Sequence, residues 1–519
     1  MKKSLFFLFA LICSMSLFTA CSDDDDTWEK LPNGEISADK IDLKLNGETT
    51  TGTVIFKATG AETAQVELKN VVDGYSDIAL DVSMKEQADG SFAFSGTKDI
   101  ATKPVVTRTE TPFLTIQIDG TISKNGTVSM NLTATGLGLY IGTYTGETLA
   151  LTYNGGVLVG KTVALDASTG DKASFQLQGV LPGEAAVTMT DVTYDGTKIS
   201  GIMTTGLYSV EISGTHSNKV LTLDVKTTLN EKAQGGLAGT WNLNVVNPLY
   251  TQEFDMDTFE TITIWSENLP ASLNWTAIDK TKEMNTPKAA STVFSVLCSH
   301  LVAEVLNTVT FTADGGLTAG YYPKPNTNKF WNENKQDWED TEFSTWMSSA
   351  MLSPVLKPYD RTWMEAPKGL VQWYVKDGYF YVVPNLAAIM GQIATDQGGA
   401  GSQIDIATIM AKLQELGITI DENMLAQVTG WLTNGIPLKY KVEGGILSLY
   451  VDKEMVAPFM NMLLPALPAI WEKVLASDTT GMASMLLGVL QLEKIEDLQT
   501  VWETDTEAFD ITLCFKKPA

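Results

Sequence analysis

Residues 41 to 225 of this chain carry the same succession of strands and turns twice. Ile41-Asp42-Leu43-Lys44-Leu45-Asn46-Gly47 matches Leu149-Ala150-Leu151-Thr152-Tyr153-Asn154-Gly155. Thr59-Gly60 followed by Ala64-Gln65-Val66-Glu67-Leu68 matches Thr169-Gly170 followed by Ala173-Ser174-Phe175-Gln176-Leu177, and Asp73-Gly74 and Pro182-Gly183 mark the same later turn. Leu114-Thr115-Ile116-Gln117-Ile118 matches Tyr208-Ser209-Val210-Glu211-Ile212. Alternation of apolar and polar residues puts one face of each strand in a core and the other in water. A shared register of turns and faces therefore predicts two copies of one β module, over 32–140 and 141–233, each of ordinary domain size. Neither copy contains tryptophan: Trp28 precedes them, Trp241 follows, and the remaining ten lie between Trp265 and Trp502.

The N-terminus reads as a secretory signal that closes on a lipidation site. Lys2 and Lys3 precede an apolar run from Leu5 to Leu17, and the small residues Thr19 and Ala20 lead into Cys21. The alternatives are an ordinary signal peptide or a membrane-spanning helix, but the run is shorter than the roughly 20 apolar residues that span a bilayer. Residues 1–20 are expected to be removed and Cys21 acylated, each buried methylene contributing about 0.8 kcal/mol to membrane anchoring. Residues 21–31 then form an acidic tether. The run Asp23-Asp24-Asp25-Asp26 resembles the export signal of surface lipoproteins in Bacteroidetes, which implies exposure on the outer face of the outer membrane. A run of like charges is also simply solvated and extended, and it lacks the spaced ligands of a calcium loop.

Lys and Arg number 36 against 62 Asp and Glu, a formal charge of −26. That balance excludes nucleic acid and electrostatic adsorption to an anionic membrane. Of four cysteines, Cys13 leaves with the signal and Cys21 is acylated; Cys298 and Cys514 sit in apolar runs and are expected as buried free thiols. A zinc site, a Ser-His-Asp triad or a Cys-His dyad would have to use one of the two histidines, His216 or His300, and no Gly-x-Ser-x-Gly or His-Glu-x-x-His pattern accompanies them. No metal or cofactor is expected, and the reading favours a non-enzymatic protein.

Glu231-Lys232-Ala233-Gln234-Gly235-Gly236 reads as a polar linker into a third domain, 234–519. There Gly239-Thr240-Trp241 resembles the Gly-x-Trp that opens the first strand of lipocalin or calycin barrels, where the indole plugs one barrel end. With Tyr144-Thr145-Gly146-Glu147 and Leu181-Pro182-Gly183-Glu184 in the second module, the chain is similar to calycin-like surface lipoproteins of gut Bacteroidetes. The resemblance implies architecture and no chemistry. Hairpins are predicted at Asp314-Gly315, Asp377-Gly378 and Gly444-Gly445. Helices are predicted over Ala289–Leu306, Leu386–Asp396, Ile404–Leu416 and Asn423–Thr433, with a flexible break at 397–402 between the second and third. Met455–Leu475 is apolar but should be kinked or divided by Pro458, Pro465 and Pro468. Another apolar stretch spans Met482–Leu492, and Phe509–Phe515 is the expected last barrel strand. The predicted fold is mainly β with α: two tandem antiparallel β modules, then a lipocalin-like barrel carrying helical insertions.

Two constellations could carry function. Trp331, Glu333, Asp337, Trp338 and Trp346 combine aromatic faces, which stack on sugar rings, with carboxylates that accept hydroxyl hydrogen bonds. They could contact a glycan or, if two carboxyl groups stood about 5–9 Å apart, hydrolyse one; the bland alternative is a loop or short helix packed on the barrel. Met390, Met410, Met424, Met460, Met462, Met482 and Met485 could line an apolar cavity at the barrel mouth, making the domain a carrier of a hydrophobic small molecule. Amphipathic helices that merely bury one another would look the same. The expected protein is thus a surface lipoprotein, tied to the outer membrane through Cys21, with two modules as a spacer and an outer domain binding glycan or lipid, or acting as a scaffold.

Overall fold

The computed structural model describes residues 27–100, 114–167, 172–194, 198–217, 219–256, 259–279, 285–332, 334–386, 388–389, 422–477 and 481–518. Cys21, the aspartate run, Glu333, most of the second predicted helix and all of the third lie outside them.

The first sheet is built from β1 (Gly34–Glu35), β2 (Ile41–Leu45), β3 (Glu48–Thr49), β4 (Thr53–Gly60), β5 (Thr63–Val72), β6 (Tyr75–Glu86), β7 (Phe92–Ile100), β8 (Leu114–Ile122) and β9 (Val128–Thr135). Its strand order is 1-4-5-6-7-8-9-2-3. The second contains β10 (Gly142–Thr145), β11 (Leu149–Tyr153), β12 (Gly156–Val157), β13 (Thr162–Ala167), β14 (Lys172–Gln178), β15 (Ala186–Tyr194), β16 (Lys198–Thr204), β17 (Tyr208–Ser217) and β18 (Val220–Leu229). Its order is 10-13-14-15-16-17-18-11-12, the same permutation shifted by nine. Both sheets curl into half-barrels. Alternation fills the first one's concave face, where Ile78, Leu80, Val82 and Met84 on β6 are all buried. Trp28 and Leu31 also pack there, so the module begins before residue 32 and takes in part of the expected tether.

Each sheet contains a parallel join: β2 with β9, and β11 with β18. An Asn-Gly turn fixes it both times. Asn46 and Asn154 lie at φ 51° and 49°, each followed by a glycine also at positive φ, the backbone of a tight hairpin turn. The Asn46 amide exchanges two hydrogen bonds with the Ala134 backbone, its Nδ2 donating to Ala134 O at 3.1 Å and its Oδ1 accepting from Ala134 N at 2.9 Å. Asn154 accepts equivalently from Thr227 N at 2.8 Å.

The third sheet closes. Its barrel strands are β19 (Gly239–Leu243), β23 (Leu306–Phe311), β24 (Gly316–Tyr321), β28 (Val371–Lys376), β29 (Tyr379–Pro384), β30 (Ile436–Glu443), β31 (Ile446–Asp452) and β32 (Thr506–Lys516). Each pairs antiparallel with the next, and β32 returns to β19 through Asn242↔Lys516 and Leu243↔Phe515. The intervening numbers belong to two separate hairpins, β20–β21 (Tyr250–Asp255, Glu260–Trp265) and β25–β26 (Lys329–Asn332, Asp337–Asp340), a short β27 (Met364–Glu365) beside β24, and β22 (Ala271–Ala277), which extends the sheet along β32. All three predicted hairpin turns lie where expected. Most of the second sheet and the whole barrel fall in one compact unit (Thr143–Ala164, Phe175–Val192, Lys198–Ala519); the first sheet belongs to the other.

Among the described residues the α-helices are α1 (Glu231–Gln234), α2 (Thr286–Val305), α3 (Phe343–Leu352), α4 (Glu422–Asn434), α5 (Lys453–Ser477), α6 (Met482–Val489) and α7 (Asp497–Thr500). α2 starts earlier than its periodicity suggests because Asn285 caps it, accepting from Lys288 N, with Pro287 in the first turn. α5 continues through all three prolines as one helix. Its Leu464 lies in a core with Trp275, Trp502 and Phe509, and Val456, Ala457 and Leu467 pack against that core. This burial offsets the missing backbone donors, which is why propensity alone misplaces a break there.

The outer edge of β22 is sealed by serines. On α2, Ser291, Ser295 and Ser299 accept from the backbone N–H of Trp275, Leu273 and Ala271 at 2.8, 3.0 and 3.4 Å. The same hydroxyls donate to the carbonyls of those residues at 3.0, 3.3 and 2.8 Å. The match is geometric: four helical residues rise about 6 Å, and two strand residues about 6.7 Å. A helix thus takes the place of a neighbouring strand and closes an edge that would otherwise invite pairing. Ser295→Ala should leave both Leu273 backbone groups unpaired and destabilise the barrel unit by about 1–3 kcal/mol. Denaturant unfolding followed by tryptophan fluorescence measures this; the exposed Thr292→Ala serves as control and should change stability by less than about 0.5 kcal/mol.

Candidate functional site

The tryptophan-rich segment divides: residues 329–340 form a hairpin, and Trp346 lies on a short helix. Trp331 on β25 stands directly opposite Trp338 on β26, ring centroids 5.5 Å apart and edge to face. Trp338 meets Tyr359 edge-on at 4.9 Å, and the Lys357 ammonium sits over the Trp331 ring. Trp346 does not join them: it lies on α3, 3 % exposed, beside Phe343. Asp337 is exposed, and its carboxylate accepts from the Trp338 backbone N–H at 2.8 Å. Hydrogen bonds from Asn332 and Lys335 hold Glu339 below the usual carboxylate range, and Asp340 pairs with Lys329 at 2.7 Å. A glycosidase acid needs the opposite, a carboxyl group held protonated.

The hairpin rests on a buried ion pair that sequence reasoning missed. Glu304, near the end of α2, faces Arg361, and each side chain is 7 % exposed. Glu304 also accepts from Tyr359 N at 2.8 Å and Asn326 N at 3.3 Å, while Arg361 Nε donates to Tyr359 O at 3.1 Å. Burial pushes the Glu304 carboxyl up, with these donors and the guanidinium pulling against it. The available signal was rarity: Arg361 is one of two arginines in the chain. His300 Nε2 donates to Ser353 O at 3.2 Å, and burial lowers its pKa, as it does for His216, whose ring contacts the Tyr144 hydroxyl at 3.0 Å. Cys298 and Cys514 are free thiols whose pKa values are raised by burial, so neither is an activated nucleophile. Among the described residues no cluster of three or more His, Cys, Asp or Glu could hold a metal.

The barrel has two unlike halves. One is plugged: Trp241, Phe311, Trp373, Phe380, Leu447 and Phe515 are each 2 % exposed or less. Gly239 opens the first strand at φ 122°, and Trp241 Nε1 donates to Leu237 O at 2.8 Å, with the Lys517 ammonium 5.1 Å from its ring centre. Register puts Leu317 opposite Phe311, Val382 opposite Trp373 and Leu438 opposite Phe380. Leu449 and Leu513 face each other next to Leu447 and Phe515. This second row shares the plug's face yet stays only half-buried. Beyond the strands, Trp431 of α4 stacks on Phe459 of α5 at 4.8 Å. Of the expected methionine lining, Met460 packs against the helical core, Met462 is half-buried and Met485 is 38 % exposed. Met390 and Met410, and the side chains of Met424 and Met482, lie outside the described residues.

Fold and site together define a closed eight-stranded up-and-down barrel, stoppered at one end and lined with half-buried apolar side chains beyond the stopper. No known protein family, curated protein or solved structure matches the chain.

Arg361→Ala strands the Glu304 carboxylate in a buried site and should destabilise the barrel unit by about 3–5 kcal/mol. Asp337→Ala, at the exposed end of the hairpin, should stay within about 0.5 kcal/mol of the parent. Thermal unfolding of both variants checks the contrast, and equal melting temperatures would refute the supporting role given to the ion pair.

Proposed function

We propose that this is a cell-surface lipoprotein of the outer membrane, anchored through acyl chains on Cys21, whose barrel binds an apolar small molecule without transforming it. The observation that carries the reading is the row Leu317, Val382, Leu438, Leu449 and Leu513. These side chains share a face with a fully packed plug but are left half-buried. Leaving apolar surface wet inside a closed barrel costs roughly 25 cal/mol per Å². A ligand that covered it would recover that free energy, the ordinary logic of small-molecule sites in barrel mouths. The anchor half rests on the lipobox and the acidic run behind it. Two further points support binding over glycan hydrolysis. The tryptophan hairpin holds Asp340 and Glu339 in ion pairs, and its ring faces are partly taken by Lys357 and Tyr359.

Two measurements test the two halves separately. Cys21→Ala should move the protein out of the membrane fraction of its host, and protease applied to intact cells should release the parent. Retained anchorage in the variant, or complete protection of the parent, would contradict the address. For the barrel, purified Cys21→Ala protein should bind a fluorescent fatty acid with one site per chain. Leu449→Glu should weaken that binding about tenfold or more, since it places a charge in the row. Binding unaffected by Leu449→Glu places the probe elsewhere and overturns the barrel reading.

A further inference from the structure

A second, chemically different cleft lies on the outside of the barrel. The face of β22 carrying Ser272 and Asn274 lines two adjoining hollows of about 560 and 410 Å³, which share Leu269, Ser272 and Asn274. Each volume is within the range of small-molecule sites, roughly 300–1,000 Å³. The first is walled by Trp265 and the serine side of α2, the second by Tyr450 and Thr512. We propose that this continuous groove binds a neutral oligosaccharide.

Three observations point to that class. The strand face at the floor of the groove carries short polar side chains, Ser272, Asn274, Asp510 and Thr512. Register places Ser272, Thr512 and Tyr450 in one line across three strands, with Asn274 and Asp510 beside it. Strands lie about 4.8 Å apart, close to the rise of one hexose along a glycan chain, so successive sugars would meet successive strands. The polar row is also pre-set: Asp510 Oδ1 accepts from Asn274 Nδ2 and from Thr512 Oγ1, both at 2.8 Å. An amide has two N–H donors and an acceptor oxygen, so Asn274, fixed by one N–H, keeps a donor and an acceptor for sugar hydroxyls. Finally, an aromatic ring stands in each hollow. Trp265 is half-buried and braced by Tyr250, ring centroids 5.2 Å apart, and Tyr450 is half-buried on β31. Among the described lining residues, Lys288 and Lys441 offset Asp510 rather than building a field of one sign, which suits an uncharged chain better than an anionic one. Trp331 and Trp338, the sequence-derived glycan candidates, lie outside this groove.

The test is titration of the Cys21→Ala chain with four neutral hexasaccharides (β-1,4-glucan, β-1,4-xylan, β-1,4-mannan and α-1,4-glucan), read by calorimetry and tryptophan fluorescence. At least one should bind. Trp265→Ala and Tyr450→Ala should each weaken it about tenfold, a typical worth of one aromatic contact, and Trp338→Ala should leave it unchanged. Should Trp265→Ala fail to fold, Tyr450→Ala and the exposed Asn274→Ala carry the test. A fluorescent fatty acid should not compete, so failure here is separable from failure of the barrel reading. Binding by none of the four at millimolar concentration, or binding that survives loss of both Tyr450 and Asn274, would overturn the assignment.

Discussion

The last strand decides the shape of the barrel. β32 pairs with β31 over most of its length on one side, but divides its other edge between two partners. Only Phe515 and Lys516 reach β19 and close the cylinder; residues 506–513 pair with β22. The barrel is therefore shut at the end where Trp241 sits and splayed where β22 takes over. The plug belongs to the shut end, and the half-buried apolar row lies next to it. Trp275, Trp502 and Phe509, gathered by α5, α6 and α7, cover the same face of β22 and β32 farther along. The opposite face of those strands is the polar groove. One divided edge thus separates an apolar interior from a hydroxyl-rich exterior.

The splayed edge would be a liability without the serine ladder on α2. A strand with unpaired N–H and C=O groups recruits other strands, and a helix ordinarily offers only side chains against it. Serine is suited to the task because one hydroxyl both donates and accepts, so a single residue satisfies both backbone groups of its partner. The repeat of four along the helix and two along the strand stays in step for three serines. Helix α2 is thereby fixed, and with it Glu304 near its C-terminal end, which holds Arg361 and the segment behind the tryptophan hairpin.

Local periodicity made most of the fold legible. Alternation exposed the duplication, Asp-Gly and Gly-Gly pairs placed the hairpins, and Gly-x-Trp marked the first barrel strand. What could not be read were pairings between distant residues. Asn46-Gly47 announces a turn, but nothing local says that its amide will bind Ala134. Serines at every fourth position look like a polar helix face until a strand edge is placed against them. The hairpin that pairs Trp331 with Trp338 was not legible because four-residue strands carry too little alternation to register. The sites were less legible than the fold. Groove residues such as Ser272, Thr512 and Tyr450 come from three strands, and only the register brings them into line.

The two copies of the duplicated module also differ in a way that bears on what each does. Leu45, Leu114 and Ala134 of the first correspond to Tyr153, Tyr208 and Thr227 of the second, so hydroxyls stand where the first copy has hydrocarbon. Those hydroxyls have work at the barrel. Thr227 Oγ1 and Asn154 Nδ2 donate to Asp314 O at 3.0 and 2.8 Å, and Leu229 N donates to Ala313 O at 2.8 Å. Tyr208 OH fixes Pro182 O at 2.9 Å, beside Gly183, where a Cβ would come within 2.5 Å of the Tyr374 ring. The stretch expected to be a linker is helix α1, capped by Asn230 and ended by Gly235 at φ 55°, with Ala233 buried. A flexible spacer needs none of this. The second module is a fitted base for the barrel, holding it in part through a hydroxyl that the first copy lacks at the matching position.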